Sequence, residues 1–156
     1  MSNFKNLRVW IRAKDLAKKI YELTKQEPLS KDFSFRDQIR RSAVSIASNI
    51  AEGDESGTDK MAIRYFYTAK GSAAELYTQL IIGHEVGYVE KNIIDDLIDE
   101  CEAISSMLFR LIEARATKDK GRKTNGADER GTTKDEPNRR TTNDERLTTN
   151  GEEAGI

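Results

Sequence analysis

The sequence is short of the residues on which several classes of protein depend. It holds one cysteine, Cys101, one histidine, His84, and two prolines among 156 residues. A single cysteine excludes a disulfide framework within one chain and fits a reducing compartment, so we expect a cytoplasmic protein. No Cys/His metal cluster, Ser/His/Asp set or glycine-rich phosphate loop occurs. These absences predict a protein that is not an enzyme and has no catalytic residues, metal site or cofactor.

Long apolar runs are also missing. No stretch approaches the roughly 18 consecutive apolar residues of a membrane span, and the N-terminus lacks the apolar run of a signal peptide. We therefore expect no membrane association. The hydrophobic content is 37%, which is modest for a chain of one domain.

The shortage of apolar residues is concentrated in the last quarter of the chain. From Lys118 onward the only large apolar residues are Leu147 and Ile156. The segment repeats a Thr-Thr-polar-acidic pattern, and its nine Lys or Arg residues balance nine Asp or Glu residues. A segment of this composition cannot bury enough apolar surface to fold. We predict a disordered, low-complexity tail over 118–156, and its charge balance disfavours nucleic-acid binding by the tail itself.

Residues 1–117 carry four apolar stripes with the three- and four-residue spacing of an α-helix. The stripes are Val9, Ala13, Leu16, Ile20 and Leu23; Phe35, Ile39, Ala43, Ile46 and Ile50; Ala62, Phe66, Ala69, Ala73, Leu76 and Leu80; and Ile94, Leu97, Cys101, Ile104, Leu108 and Leu111. Ser34, Thr58 and Asn92 are suited to cap the second, third and fourth helices. Short connections between four amphipathic helices predict an all-α fold, an antiparallel four-helix bundle.

Beside two of these stripes lies a second, polar stripe with the same spacing. Its members are Gln38, Ser42, Ser45, Asn49 and Glu52 in the second helix, and Thr68, Ser72, Glu75 and Gln79 in the third. A solvated helix flank is one explanation. Exposed helical faces usually carry Lys, Arg and Glu, however, whereas serine is a weak helix former that permits close backbone approach. We therefore favour a tight contact between helices or subunits, made by Gln38, Ser42, Ser45, Asn49, Glu52, Ser72 and Glu75.

Charge is distributed unevenly along the predicted bundle. Residues 1–70 hold fourteen basic and nine acidic residues, while 71–117 hold three basic and nine acidic residues. The two halves either neutralise each other within one protomer or favour head-to-tail association of identical subunits. Phosphate groups require cations. Among the basic residues of the first half, the hypothesis of a phosphate-binding face names Lys18, Lys19, Arg40, Arg41 and Lys60, although Arg40 and Arg41 suit partner carboxylates equally well.

Three separated motifs resemble one protein family. They are Leu7-Arg8-Val9-Trp10; Gln38-Ile39-Arg40-Arg41-Ser42-Ala43 with Ser45-Ile46 and Asn49-Ile50-Ala51-Glu52-Gly53; and Ala69-Lys70-Gly71-Ser72 with Glu75-Leu76. Over residues 4–115 the chain resembles the four-helix-bundle proteins encoded in 23S rRNA intervening sequences. That family is similar to the accessory variability protein of diversity-generating retroelements, a homopentamer that binds nucleic acid and a reverse transcriptase. The resemblance implies a homo-oligomer, and a pentamer in particular.

The sequence as a whole predicts a non-enzymatic, self-assembling scaffold that binds structured RNA or an RNA–protein complex. The alternative is a protein-binding accessory subunit of a reverse transcriptase in a diversity-generating retroelement. A metal-dependent nuclease ranks third, because the acidic fourth helix lacks the Glu-x-x-His pairing of di-metal carboxylate bundles.

Overall fold

Four α-helices account for most of the chain. The computed structural model describes residues 3–128, which form α1 (Arg8–Leu23), α2 (Phe33–Glu55), α3 (Asp59–Glu85) and α4 (Lys91–Asp128), with 3₁₀ turns at Phe4–Asn6 and Leu29–Lys31. No strand occurs within this range. Successive helices pack side by side in antiparallel directions. The predicted all-α, antiparallel four-helix bundle is confirmed.

The predicted apolar stripes meet in one core. Every stripe position is buried except Phe35 and Leu111, which are half-buried. Phe35 lies at one end of the bundle, where its ring makes an edge contact with Tyr88 at 5.9 Å between centroids. Near the end of α4 the buried position is Ile112 in place of Leu111. Since Leu108 precedes it by four residues, the final step of the α4 stripe is four rather than three.

Helix α3 is the central element of the packing. It contacts α2 and α4 along most of its length, whereas α1 packs mainly on α2 and makes few contacts with α4. Small side chains let α2 and α3 approach closely: Ser45 and Ser72 meet across the contact, and further along Gly53 lies directly against the ring of Phe66. These two contacts define an antiparallel register in which the start of α2 lies beside the end of α3.

The helix starts agree with the sequence in part. Thr58 caps α3 by accepting a hydrogen bond from the Met61 N–H at 3.2 Å, as predicted. At α2 the cap is Asp32 rather than Ser34, and its carboxylate accepts from the Phe35 N–H at 3.0 Å. The other Asp32 oxygen accepts from the Tyr88 hydroxyl at 3.0 Å, a long-range bond that local sequence does not reveal. Helix α4 begins at Lys91, which places Asn92 inside the first turn.

The last helix is longer than the packed bundle. Helix α4 continues to Asp128, eleven residues past the boundary at 117 that the sequence predicts for the bundle. Among residues 91–118 the last buried one is Ile112, five residues before that boundary. Residues 118–128, assigned to the disordered tail on composition, are therefore helical. The rest of the predicted tail, 129–156, lies outside the described residues.

An ion-pair cluster ties α4 to the α2–α3 connection. Arg115 donates to Asp54 Oδ1 and to Asp59 Oδ1, each at 3.1 Å. The side chains of both aspartates are almost completely buried, at 8% and 6% exposure, while Arg115 is 27% exposed.

Among residues 3–128, no helix combines the length and the apolar character that a membrane span requires.

Candidate nucleic-acid interface

The five basic residues predicted to hold phosphate do not form one face. Lys18, Arg40 and Arg41 lie around the packed edge of α1 and α2. Lys19 lines a different groove, between α1 and α4. Lys60 is in the first turn of α3, level with the end of α2, and therefore about 20 Å from Arg40 along the bundle axis at 1.5 Å per residue. The structure thus brings three of the five together.

Arg40 is held in place by two groups from the end of α1. Its Nε donates to Thr24 Oγ1 at 2.7 Å, and its guanidinium lies 4.7 Å from the centre of the Tyr21 ring. Thr24 is fully buried, so this end of Arg40 is anchored in the core. The two terminal nitrogens make no hydrogen bond to the described residues. A planar guanidinium fixed in this way is oriented before any ligand arrives.

Arg41 sits beside Arg40 with its charge uncompensated by any ion pair among residues 3–128. Both arginines line a surface depression of about 480 Å³ that also includes Tyr21, Val44 and Asp37. Asp37 is engaged by Arg36, at 3.1 Å from its Nη2, and does not bridge to either arginine. The depression therefore presents two neighbouring guanidinium groups to solvent.

Tyr21 also borders a larger depression of about 690 Å³, which we call the α1–α2 groove. Its apolar lining includes Trp10, Ala17, Tyr21, Val44, Ala47 and Ala51, and its charged lining consists of Lys14, Lys18, Lys25 and a single carboxylate, Glu22. Lys14 and Lys25 form exposed ion pairs with Asp15 at 3.2 Å and Glu22 at 2.8 Å. Exposed pairs of this kind contribute about 0–1 kcal/mol, so they leave these cations available to a ligand.

The groove between α1 and α4 has a different character. It measures about 740 Å³, and Lys18 and Lys19 share it with Asp15, Glu22 and Asp96. Below it, Arg12 joins the two helices through a bidentate contact with Glu100, at 2.8 and 3.1 Å. This hydrogen-bonded pair lowers the pKa of Glu100. Three carboxylates beside two lysines make this groove less suitable for phosphate than the α1–α2 groove, where three lysines accompany one carboxylate, Glu22.

The predicted polar stripes face each other across α2 and α3. Asn49 Nδ2 donates to Ser45 Oγ at 3.0 Å, the Ser45 and Ser72 hydroxyls are 2.9 Å apart, and Ser72 donates to the Thr68 carbonyl at 3.0 Å. Because the Ser72 proton is directed at that carbonyl, Ser45 donates to Ser72. Ser42 is buried and donates to the Gln38 carbonyl at 3.1 Å. Gln38, Glu52 and Glu75 are exposed.

The centre of this polar seam is therefore a contact within one protomer, and its exposed members are the part that a second subunit could reach. Burial of several hydroxyl groups is tolerated because each has a partner in the chain of hydrogen bonds. The role of the seam in self-association stays a prediction.

Cys101 and His84, the two residues with reactive side chains, both contribute to the packing of the bundle. Cys101 is buried on the apolar stripe of α4, and desolvation raises the pKa of its thiol to about 12. The Nδ1 atom of His84 lies 2.8 Å from the Val89 carbonyl and joins the end of α3 to the following turn. Within residues 3–128 no group of three or more His, Cys, Asp or Glu side chains is arranged to hold a metal ion.

Two aromatic residues of the α1–α2 groove were not among the site residues predicted from the sequence. Trp10 and Tyr21 share one face of α1 with Lys14 and Lys18, because residues 10, 14, 18 and 21 follow a spacing of three or four, and Lys25 lies in the turn just after the helix. That alternation of aromatic and basic residues is visible in the sequence once α1 is assigned. It was hidden because Trp10 and Tyr21 border the core stripe and resemble ordinary packing residues.

Comparison with known proteins identifies a family and a structural similarity to solved proteins. The model of the family described as 23S rRNA-intervening sequence protein matches residues 5–110. No curated protein matches the chain. A crystal structure from Bacteroides thetaiotaomicron, described as a protein of unknown function from the S23 ribosomal protein family, superposes with a TM-score of 0.62 at 23% sequence identity. The match covers 67% of this chain and 97% of the other.

Proposed function

The chain belongs to the 23S rRNA-intervening sequence protein family, and within that framework we propose that it is a non-enzymatic, homo-oligomeric scaffold that binds RNA through the α1–α2 side of the bundle. The observation that carries the proposal is the fixed guanidinium of Arg40 beside Arg41, which has no ion pair within the described part of the chain, next to a groove rimmed by three lysines. Phosphates are bound by cations of this kind, and preorientation reduces the cost of binding.

Self-association is supported by the surface that lies away from this groove. Large apolar side chains are exposed on α3 and α4, including Tyr67 at 54% and Phe109 at 46%. The first part of α4, residues 91–113, carries six acidic and two basic residues, whereas α1 carries five basic and two acidic residues. Opposed charges on different faces allow one copy to contact the next in a head-to-tail ring.

Light scattering on the purified full chain is expected to give a closed homo-oligomer. The resemblance to a pentameric family sets the expected mass at about five times the 17.7 kDa of one chain. A monomer at micromolar concentration would contradict the assembly proposal. A closed oligomer with another number of subunits would support assembly and correct the pentamer.

Reversing two charges beside the groove is expected to weaken RNA binding about tenfold at low salt. The Arg40→Glu, Arg41→Glu double variant removes two phosphate contacts, and each lost contact should reduce the salt slope by roughly one unit. The measurement is a salt series with a structured RNA, made on wild type and on the variant after the oligomeric mass of each has been checked.

The matched control is the Lys60→Glu, Arg64→Glu double variant. It changes the net charge by the same amount at the opposite end of the bundle, where both side chains are exposed. Equal weakening by the two variants would show that net charge, and not this site, controls binding. If wild type binds no RNA at low salt, a protein partner, such as a reverse transcriptase, becomes the favoured function.

A further inference from the structure

The α1–α2 groove combines exposed aromatic rings with cations along a single line. Tyr21 is 41% exposed, and the Arg40 guanidinium lies over one face of its ring. At the other end of the groove, Trp10 is half-buried, with Lys14 Nζ 5.9 Å from its ring centre. Phe4 packs edge-on against Trp10, with the ring centroids 5.1 Å apart, and so supports it from the N-terminal turn.

The spacing of the two rings gives each of them its own place in the groove. Trp10 and Tyr21 are separated by eleven residues of α1, which is about 16 Å along the helix. Lys14 and Lys18 lie between them on the same groove. The order along α1 is therefore ring, cation, cation, ring, and Lys25 adds a further cation in the turn that follows the helix.

A ligand that fills this groove must offer flat apolar faces and regularly spaced negative charges. Unpaired nucleobases stack on aromatic side chains while their phosphates follow neighbouring cations. In a duplex the bases are already stacked and paired, so the rings of the groove have nothing to contact. Phosphate contacts alone would also leave the apolar floor formed by Val44, Ala47 and Ala51 uncovered.

We propose that the α1–α2 groove is a binding site for single-stranded RNA, in which unpaired bases stack on Trp10 and Tyr21. This inference rests on the proposed RNA-binding function and specifies which form of RNA the site takes. Lys14, Lys18 and Lys25 contact the phosphates between and beyond the stacked bases. Arg40 positions the Tyr21 ring from its other face.

Trp10 is the only tryptophan of the chain, so its fluorescence reports on the groove directly. The full-length protein is titrated with a short oligouridylate, which has no secondary structure, and in parallel with an RNA duplex of the same length. We expect the single strand to quench Trp10 fluorescence and to bind more tightly than the duplex. Tyr21→Leu is expected to weaken oligouridylate binding about tenfold, because stacking contributes about 1–3 kcal/mol per base.

The conservative variant Tyr21→Phe keeps the ring and is expected to bind the oligouridylate as wild type does. Tyr21→Leu should weaken duplex binding much less than oligouridylate binding, since the duplex uses the cations alone and Thr24 still holds Arg40. Circular dichroism and the oligomeric mass establish that each variant is folded and assembled. A Tyr21→Leu protein that bound both RNAs unchanged would remove Tyr21 from the site.

The two proposals fail in different ways. If both RNAs bind equally and Trp10 fluorescence does not change, the stacking site is wrong, but the proposed RNA-binding function is still supported. If neither RNA binds at low salt, both the proposed RNA-binding function and the stacking site are wrong.

Discussion

Gly53→Ala is expected to destabilise the bundle by about 2 kcal/mol, because overpacking a filled core costs about 1–3 kcal/mol. A Cβ atom at this position would lie 2.5 Å from Phe66 Cε1 and 2.8 Å from Phe66 Cδ1. It would also lie 3.1 Å from Tyr65 Cβ, an atom that moves only with the backbone of α3. Phe66 is completely buried, so its ring cannot move out of the contact into solvent.

The matched control is Gly71→Ala in the exposed part of α3. Both glycines lie within helices, and at Gly71 an added Cβ meets nothing within 4 Å. Alanine is a better helix former than glycine by about 0.5–1 kcal/mol, so Gly71→Ala should stabilise the protein by that amount. Urea unfolding of both variants measures the difference. Equal effects on the free energy of unfolding would show that the Gly53 contact with Phe66 does not limit the packing of α2 on α3.

Arg115→Met is expected to lower the free energy of unfolding by about 2 kcal/mol. Removing one partner of a fully buried ion pair costs about 3–5 kcal/mol, and the partial exposure of Arg115 reduces the expected cost. The loss arises because Asp54 and Asp59 are buried carboxylates that both receive hydrogen bonds from Arg115. Methionine keeps much of the side-chain length, so the effect reports on charge and hydrogen bonding more than on packing.

Arg110→Met provides the comparison on the same helix. Arg110 is exposed, and it has no ion pair within the described range. Its substitution should change stability by no more than about 0.5 kcal/mol. Thermal unfolding of the two variants under identical conditions tests the assignment. A similar small change in both would mean that Arg115 does not tie α4 to the α2–α3 connection.

Most of the fold follows from helical periodicity. The apolar stripes identify the buried face of each helix because an amphipathic helix must hide that face from water. The identity of the α2 cap did not follow from the sequence, because Asp32 caps the helix while also accepting a hydrogen bond from Tyr88, 56 residues away. The extent of α4 did not follow either, since composition predicts whether a segment can be packed and not whether a helix can continue beyond the core.

The candidate interface was predictable only in outline. Charge counting identifies a basic half of the bundle, but residues of one charge on different helices are brought together only by the packing. Arg40 and Arg41 lie beside the α1–α2 groove because α1 ends next to the start of α2, whereas Lys60 belongs to the opposite end. The alternating rings and lysines of α1 carry more information than the charge count, because they share one face.

The limited contact of α1 with α4 affects the order in which the helices unfold locally. Helices α2, α3 and α4 share extensive contacts, and α1 is added to them chiefly through α2. The depressed pKa of Glu100 means that its bond to Arg12 contributes stability above the unfolded-state pKa, and that this contribution is lost as the pH falls through the folded-state pKa. We therefore expect α1 to exchange its amide hydrogens before the other helices, and to do so faster in acid. A ligand that bridges α1 and α2 would make that opening rarer, so occupancy of the groove and the stability of the closed bundle are thermodynamically linked.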